Sequence, residues 1–124
     1  IIFMVFSSKR NKIMNKKYII KDKNEFNEII HNGKILKNKF FIIYIMKAEE
    51  NNPKFGFAVG KKIGNAVARN KLKRQLRDIV RKNLVLFSSN KKYIIMPKRC
   101  SNSLTYDKLL IELIDLVKKG EKHA

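Results

Sequence analysis

This 124-residue chain has no tryptophan, a single cysteine, two prolines and five glycines. Cys100 cannot close an internal disulfide, so burial must hold the fold together, and the lone thiol fits a reducing compartment. With one cysteine and two histidines there is no CxxC pair and no ligand set for zinc. No Pro- or Gly-rich stretch divides the sequence and no internal repeat is visible, which indicates one domain with one core. No apolar run is long enough to span a bilayer. Acidic residues are scarce as well: 10 Asp and Glu face 29 Lys and Arg, a formal charge of +19. A two-metal nuclease gathers carboxylates around its ions, and nothing in the pattern gathers Glu49, Glu50, Glu112 and Asp115. His31 and His123 are badly placed for acid–base work, and His31, beside Asn32 and Gly33, reads as a helix-end residue. No catalytic side chain is expected.

What the chain does contain is a foldable body, 44% hydrophobic, with aromatics spread along it. A charge of this size on such a body points first to nucleic acid and second to an anionic membrane surface. The opening IIFMVFSSKR places its charges after the apolar part, the reverse of a secretory signal. Residues 1–13 are read as a disordered or non-native extension from a misassigned start, with Met14 opening the domain, 14–124. A short membrane-touching arm is the sharper alternative.

Residues 24–32 read as a helix, with Phe26, Ile29 and Ile30 on one face and Gly33 as its stop. KFFIIYIM (39–46) and KFGFAVG (54–60) read as strands around the turn EENNP, hence as an antiparallel hairpin. A further strand is read near Gly33–Leu36. Asn65 caps a basic helix reaching about Asn83, KYIIMP (92–97) is a strand, and Thr105 caps a last helix with a stripe of Leu109, Leu110, Leu113, Ile114 and Val117. The order α-β-β-α-β-α defines an α+β domain, a small mixed β-sheet packed with three helices. Strands 54–60 and 92–97, joined through the basic helix, should pair in parallel.

The basic helix carries Arg69, Lys71, Lys73, Arg74, Arg77 and Arg81 against Asp78 alone. Ala68, Leu72, Leu76, Ile79 and Val80 share the side that packs on the sheet. Asn70, Arg74, Arg77 and Arg81 fall on the open side, with Arg69 and Lys73 at its border. Like charges one turn apart repel, so a polyanion is expected against this face. Lys61 and Lys62 precede the helix N-terminus, where free N–H groups favour phosphate, and Gly60 and Gly64 let a ligand come close. A second candidate surface is apolar: Phe40, Ile42 and Tyr44 alternate with Phe41, Ile43 and Ile45. One set packs the core; the other could lie beneath the Phe26/Ile30 helix and take a single strand by stacking.

VGKKIGNAVARNKLKRQLR (59–77) closely resembles the signature of the bacterial ribonuclease P protein family. It matches at Lys61, Lys62, Gly64, Asn65, Ala66, Val67, Arg69, Asn70, Lys73, Arg74 and Arg77, and the likeness extends over roughly residues 14–118. The resemblance implies an α/β sandwich with a left-handed βαβ crossover, a connection that elementary handedness rules would draw right-handed. It implies the protein subunit of a cytoplasmic ribonucleoprotein that removes the 5′ leader from precursor tRNA, with catalysis in the RNA subunit assisted by Mg2+. Arg69, Asn70, Lys73, Arg74 and Arg77 would contact that RNA, with Lys61, Lys62 and Asn65 near phosphate or metal. Phe26, Ile30, Ile42 and Tyr44 would line a leader cleft; relatives often carry an aromatic where Ile30 stands, so that contact would be apolar here. No membrane partner is implied, and the isolated protein is expected to be a monomer. A ribosomal protein or general RNA chaperone is the rival reading, which the motif disfavours.

Overall fold

The computed structural model describes residues 16–49 and 51–122; the 1–13 extension, Glu50 and His123 lie outside them. The first helix, α1 (Lys23–Asn32), starts where the Asp22 carboxylate accepts the Asn24 N–H at 3.0 Å, and ends where the Gly33 N–H donates to the Ile29 carbonyl at 2.8 Å. A side chain at Gly33 would place Cβ 2.5 Å from that carbonyl oxygen and 3.0 Å from the Ile45 oxygen, so glycine allows the chain to turn tightly into the sheet. There follow β1 (Lys34–Lys37), β2 (Phe41–Lys47), β3 (Lys54–Phe57), α2 (Ala66–Lys82), β4 (Lys91–Pro97) and α3 (Tyr106–Lys122). Asn38 shapes the turn between β1 and β2, its side-chain oxygen accepting the Phe40 and Phe41 N–H groups at 2.9 and 2.8 Å.

The sheet order is β1-β2-β4-β3. The expected hairpin between the second and third strands does not exist: β4 lies between them, antiparallel to β2 (Ile43 opposite Ile95) and parallel to β3 (Phe55 opposite Tyr93). The parallel pair across the basic helix is present as expected, and β1 pairs antiparallel with β2. Inserting β4 gives its Tyr93, Ile94 and Ile95 neighbours on both edges, and all three are fully buried.

Alternation along the strands divides two apolar layers. Phe41, Ile43, Phe55, Tyr93 and Ile95 face α2 and α3, meeting Leu72, Leu76, Ile79, Leu109, Leu113 and Val117 in the main core. Phe55 stacks on Tyr93 with centroids 5.4 Å apart, and Phe87 meets both edge-on. The opposite face holds Ile94, beneath Ile29 and Ile20. Phe40, read with Ile42 and Tyr44, packs instead against the main core, because the strand begins only at Phe41. Gly56 lets α1 lie close on this second face, since a Cβ there would come within 2.7 Å of the Phe26 ring. Lys92 on β4 and Glu25 on α1 close the layer with a 2.6 Å ion pair.

Asp78, the lone acid of α2, ties two helices together. It pairs with Arg81, accepts the Tyr106 hydroxyl of α3 at 2.6 Å and lies 3.2 Å from the Lys82 ammonium. Partial burial alone would raise its pKa, but hydrogen bonds from Tyr106, Arg81 and Lys82 hold the carboxyl below the usual range. Tyr106 shifts far upward, through burial and then its bond to the Asp78 carboxylate.

Candidate nucleic-acid interface

A short 3-10 turn, Lys61–Ile63, leads into α2 and buries only Ile63, leaving Lys61 and Lys62 exposed. Gly64 follows at φ 153°, ψ −160°, a conformation essentially reserved for glycine. Asn65 then caps the helix, its side-chain oxygen accepting the Ala68 N–H at 2.9 Å. The helix N-terminus therefore opens beside two free-standing lysines, an arrangement that attracts phosphate.

Along α2 the buried stripe is Leu72, Leu76, Ile79 and Val80, as the periodicity required. Asn70 and Arg74 are exposed; Arg69, Lys73 and Arg77 are half-buried. Arg69 donates to the Gly64 carbonyl at 3.3 Å, and the Arg77 guanidinium lies 5.9 Å from the centre of the Phe57 ring. Arg81 requires correction. Placed on the open side by helical projection, it is 6% exposed and pairs with Asp78, so it braces the α2–α3 junction and offers nothing to a polyanion.

Around the leading end of α2 the surface sinks into a cavity of about 940 Å³. Phe26 of α1 and Ile42 of β2 line it, together with Lys61, Lys62, Lys98 and Arg99. The apolar surface and the phosphate-attracting loop, read separately from the sequence, are thus one site. Ile30 and Tyr44 sit on the same sheet face in the adjoining cluster around Ile94. Lys98 and Arg99 were not singled out from the sequence. Parallel pairing of β3 with β4 brings the ends of both strands together, and KR directly after Pro97 was the available signal. Lys98 is anchored by a 2.7 Å hydrogen bond to the Asn38 carbonyl, whereas Arg99 is exposed.

Among the described residues no three His, Cys, Asp or Glu side chains gather as a metal cage. No described helix is long and apolar enough to cross a membrane.

Fold and site define a class: a strongly cationic α+β domain that turns a basic helix and an apolar, lysine-rimmed cleft toward a polyanion. The family model for ribonuclease P matches residues 14–121. The ribonuclease P protein component of Mycoplasma capricolum is 46% identical over 109 residues, covering 85% of this chain and all of that protein. Among solved structures, the Staphylococcus aureus RNase P protein superposes with a TM-score of 0.78 at 28% identity, covering 83% of this chain and 94% of that one. The Thermotoga maritima RNase P protein gives 0.76 at 26%, covering 81% and 94%. The chain belongs to the ribonuclease P protein family, the accessory subunits of the endonuclease that processes tRNA 5′ ends.

Proposed function

We propose that this subunit grips the catalytic RNA through α2 and holds the 5′ leader of precursor tRNA in the cleft, in the bacterial cytoplasm. The observation that carries the reading is the joining of Phe26 and Ile42 to Lys61 and Lys62 in one cavity at the start of the basic helix. Asn70 and Arg74 stand exposed on α2 for RNA to reach, flanked by half-buried Arg69, Lys73 and Arg77, with exposed Asn65 at the helix start. Arginine suits this task because its planar fork binds phosphate with two hydrogen bonds or stacks on a base. In the cleft, single-stranded leader would lie across Phe26, Ile30, Ile42 and Tyr44 while Lys61 and Lys62 neutralise its backbone. Mg2+ belongs, in this reading, to the RNA subunit, where it would supply the hydrolytic chemistry. The protein's part is to neutralise phosphate charge and to position the leader.

The test is reconstitution. The protein is combined with a matched ribonuclease P RNA and a 5′-labelled precursor tRNA at low Mg2+. Restored leader removal at the correct site supports the proposal; a matched RNA that stays slow overturns it. Within this assay, Tyr44→Ala is expected to weaken binding of leader-bearing tRNA by about 1–3 kcal/mol, the worth of one stacked base. Mature tRNA should bind unchanged. Equal losses for both substrates would make Tyr44 a packing residue alone.

A further inference from the structure

The α1 side of the sheet is only partly covered. Ile29 packs with Ile94 of β4, and the Phe26 ring lies over Gly56 of β3. The same face continues across β2 to the edge strand β1, where the register sets Ile35 directly opposite Tyr44 and Lys37 directly opposite Ile42. Residues paired in this way in an antiparallel ladder point to one side of the sheet, with Cβ atoms about 5 Å apart. Leu36, between them, points the other way and packs on the main core. Ile35 is nevertheless 54% exposed, and Lys37 is exposed as well. Ile42 lines the cavity at the start of α2, and so does Met96, its partner on β4. The apolar floor of that cavity therefore does not stop at β2. It runs on to the outer edge of the sheet, with a lysine beside it.

An isoleucine left in water on an edge strand is a liability, and lysine is one of the residues that guard such edges. That guarding role alone would account for Lys37 but not for Ile35 beside it. Charge names the occupant. Residues 33–48 hold Lys34, Lys37, Lys39 and Lys47 and no acidic residue, so a second copy of the chain is repelled here and a polyanion is attracted. A base laid on Ile35 with its phosphate at Lys37 repeats the pairing of apolar floor and cationic rim that the cavity itself presents. We infer, on the reading that the cleft holds the leader, that β1 extends it: Ile35 and Lys37 form a further nucleotide site, reached only by leaders long enough to pass beyond Tyr44.

Leader length is the test. The holoenzyme, the full chain with a matched ribonuclease P RNA, is titrated with mature tRNA and with precursor tRNAs whose leaders grow nucleotide by nucleotide. Ile35→Thr keeps a β-branched side chain on the strand, and Lys37→Gln removes only the charge. Both should bind mature tRNA and short leaders as wild type does, then lose affinity several-fold once the leader passes a certain length. Lys37→Gln should also lower the salt slope by roughly 0.7 for long leaders alone, the share of a single-strand phosphate contact. Tyr44→Ala should lose affinity from a shorter leader onward. Losses in the β1 variants that ignore leader length would show a packing role, and no loss at any length would leave β1 outside the leader's path. Either result overturns the inference, while the Tyr44→Ala profile decides separately whether the cleft holds the leader.

Discussion

Arg74→Ala is expected to weaken binding to ribonuclease P RNA and to flatten its dependence on salt. Each lost phosphate contact lowers the slope of log K against log salt by roughly 0.7–0.9. Arg74 is the arginine of α2 best placed to show this cleanly, because it is exposed whereas Arg69 and Arg77 are half-buried and Arg81 is buried. Arg77→Ala should produce a similar change of slope together with some loss of stability, because its guanidinium covers the Phe57 ring. Lys119→Ala, on α3 and paired with Asp115, should leave the slope as it was. Filter binding over a salt series reads all three. An unchanged slope for Arg74→Ala would remove the outer face of α2 from the interface.

The second large effect concerns the joint between the two long helices. Asp78→Asn should cost about 1–3 kcal/mol at neutral pH, the range for hydrogen bonds to a charged group whose partner stays buried. Arg81 would keep its position inside without the carboxylate that faces it. The pH dependence carries a definite sign. The folded-state pKa of Asp78 lies below its ordinary value, so its contribution is fully present above about pH 4 and is lost as pH falls through the lowered value. Wild type and variant should therefore differ most near neutrality and converge in acid. Urea unfolding at several pH values measures this, and a difference that grows on acidification would refute the assignment. Tyr106→Phe should reproduce part of the loss, since it deletes one of the three groups facing Asp78.

Much of this architecture was legible from local chemistry. The caps at Asn65 and Gly33, the buried stripe of α2 and the alternation that parts Phe41 and Ile43 from Ile42 and Tyr44 all follow from spacing that a single element displays by itself, though not which of the two sets faces the core. What could not be read was non-local. A short turn between two strand-like segments favours a hairpin, and no residue near Glu49–Pro53 announces that a strand forty residues later will come between them. Arg81 failed for the same reason: projection knows its own helix, but Tyr106 and the α2–α3 packing decide where Asp78 points and draw the guanidinium inward. Lys98 and Arg99 joined the site only because β4 runs parallel beside β3. The candidate site was thus visible as parts, and the topology assembled them.

The place of β4 in the middle of the sheet also sets a timetable for the chain as it leaves the ribosome. Until residues 91–97 have been made, β3 has only the single bridge between Ile19 and Phe55 on its other edge, and β2 has only the short β1. The apolar side of α2 emerges earlier still, before the strand and the final helix that complete its shelter. A nascent segment in that state would ordinarily invite aggregation. Here the excess of lysine and arginine, 29 against 10 acidic residues, would set like charges against one another and so oppose such association until the last strand and helix are made.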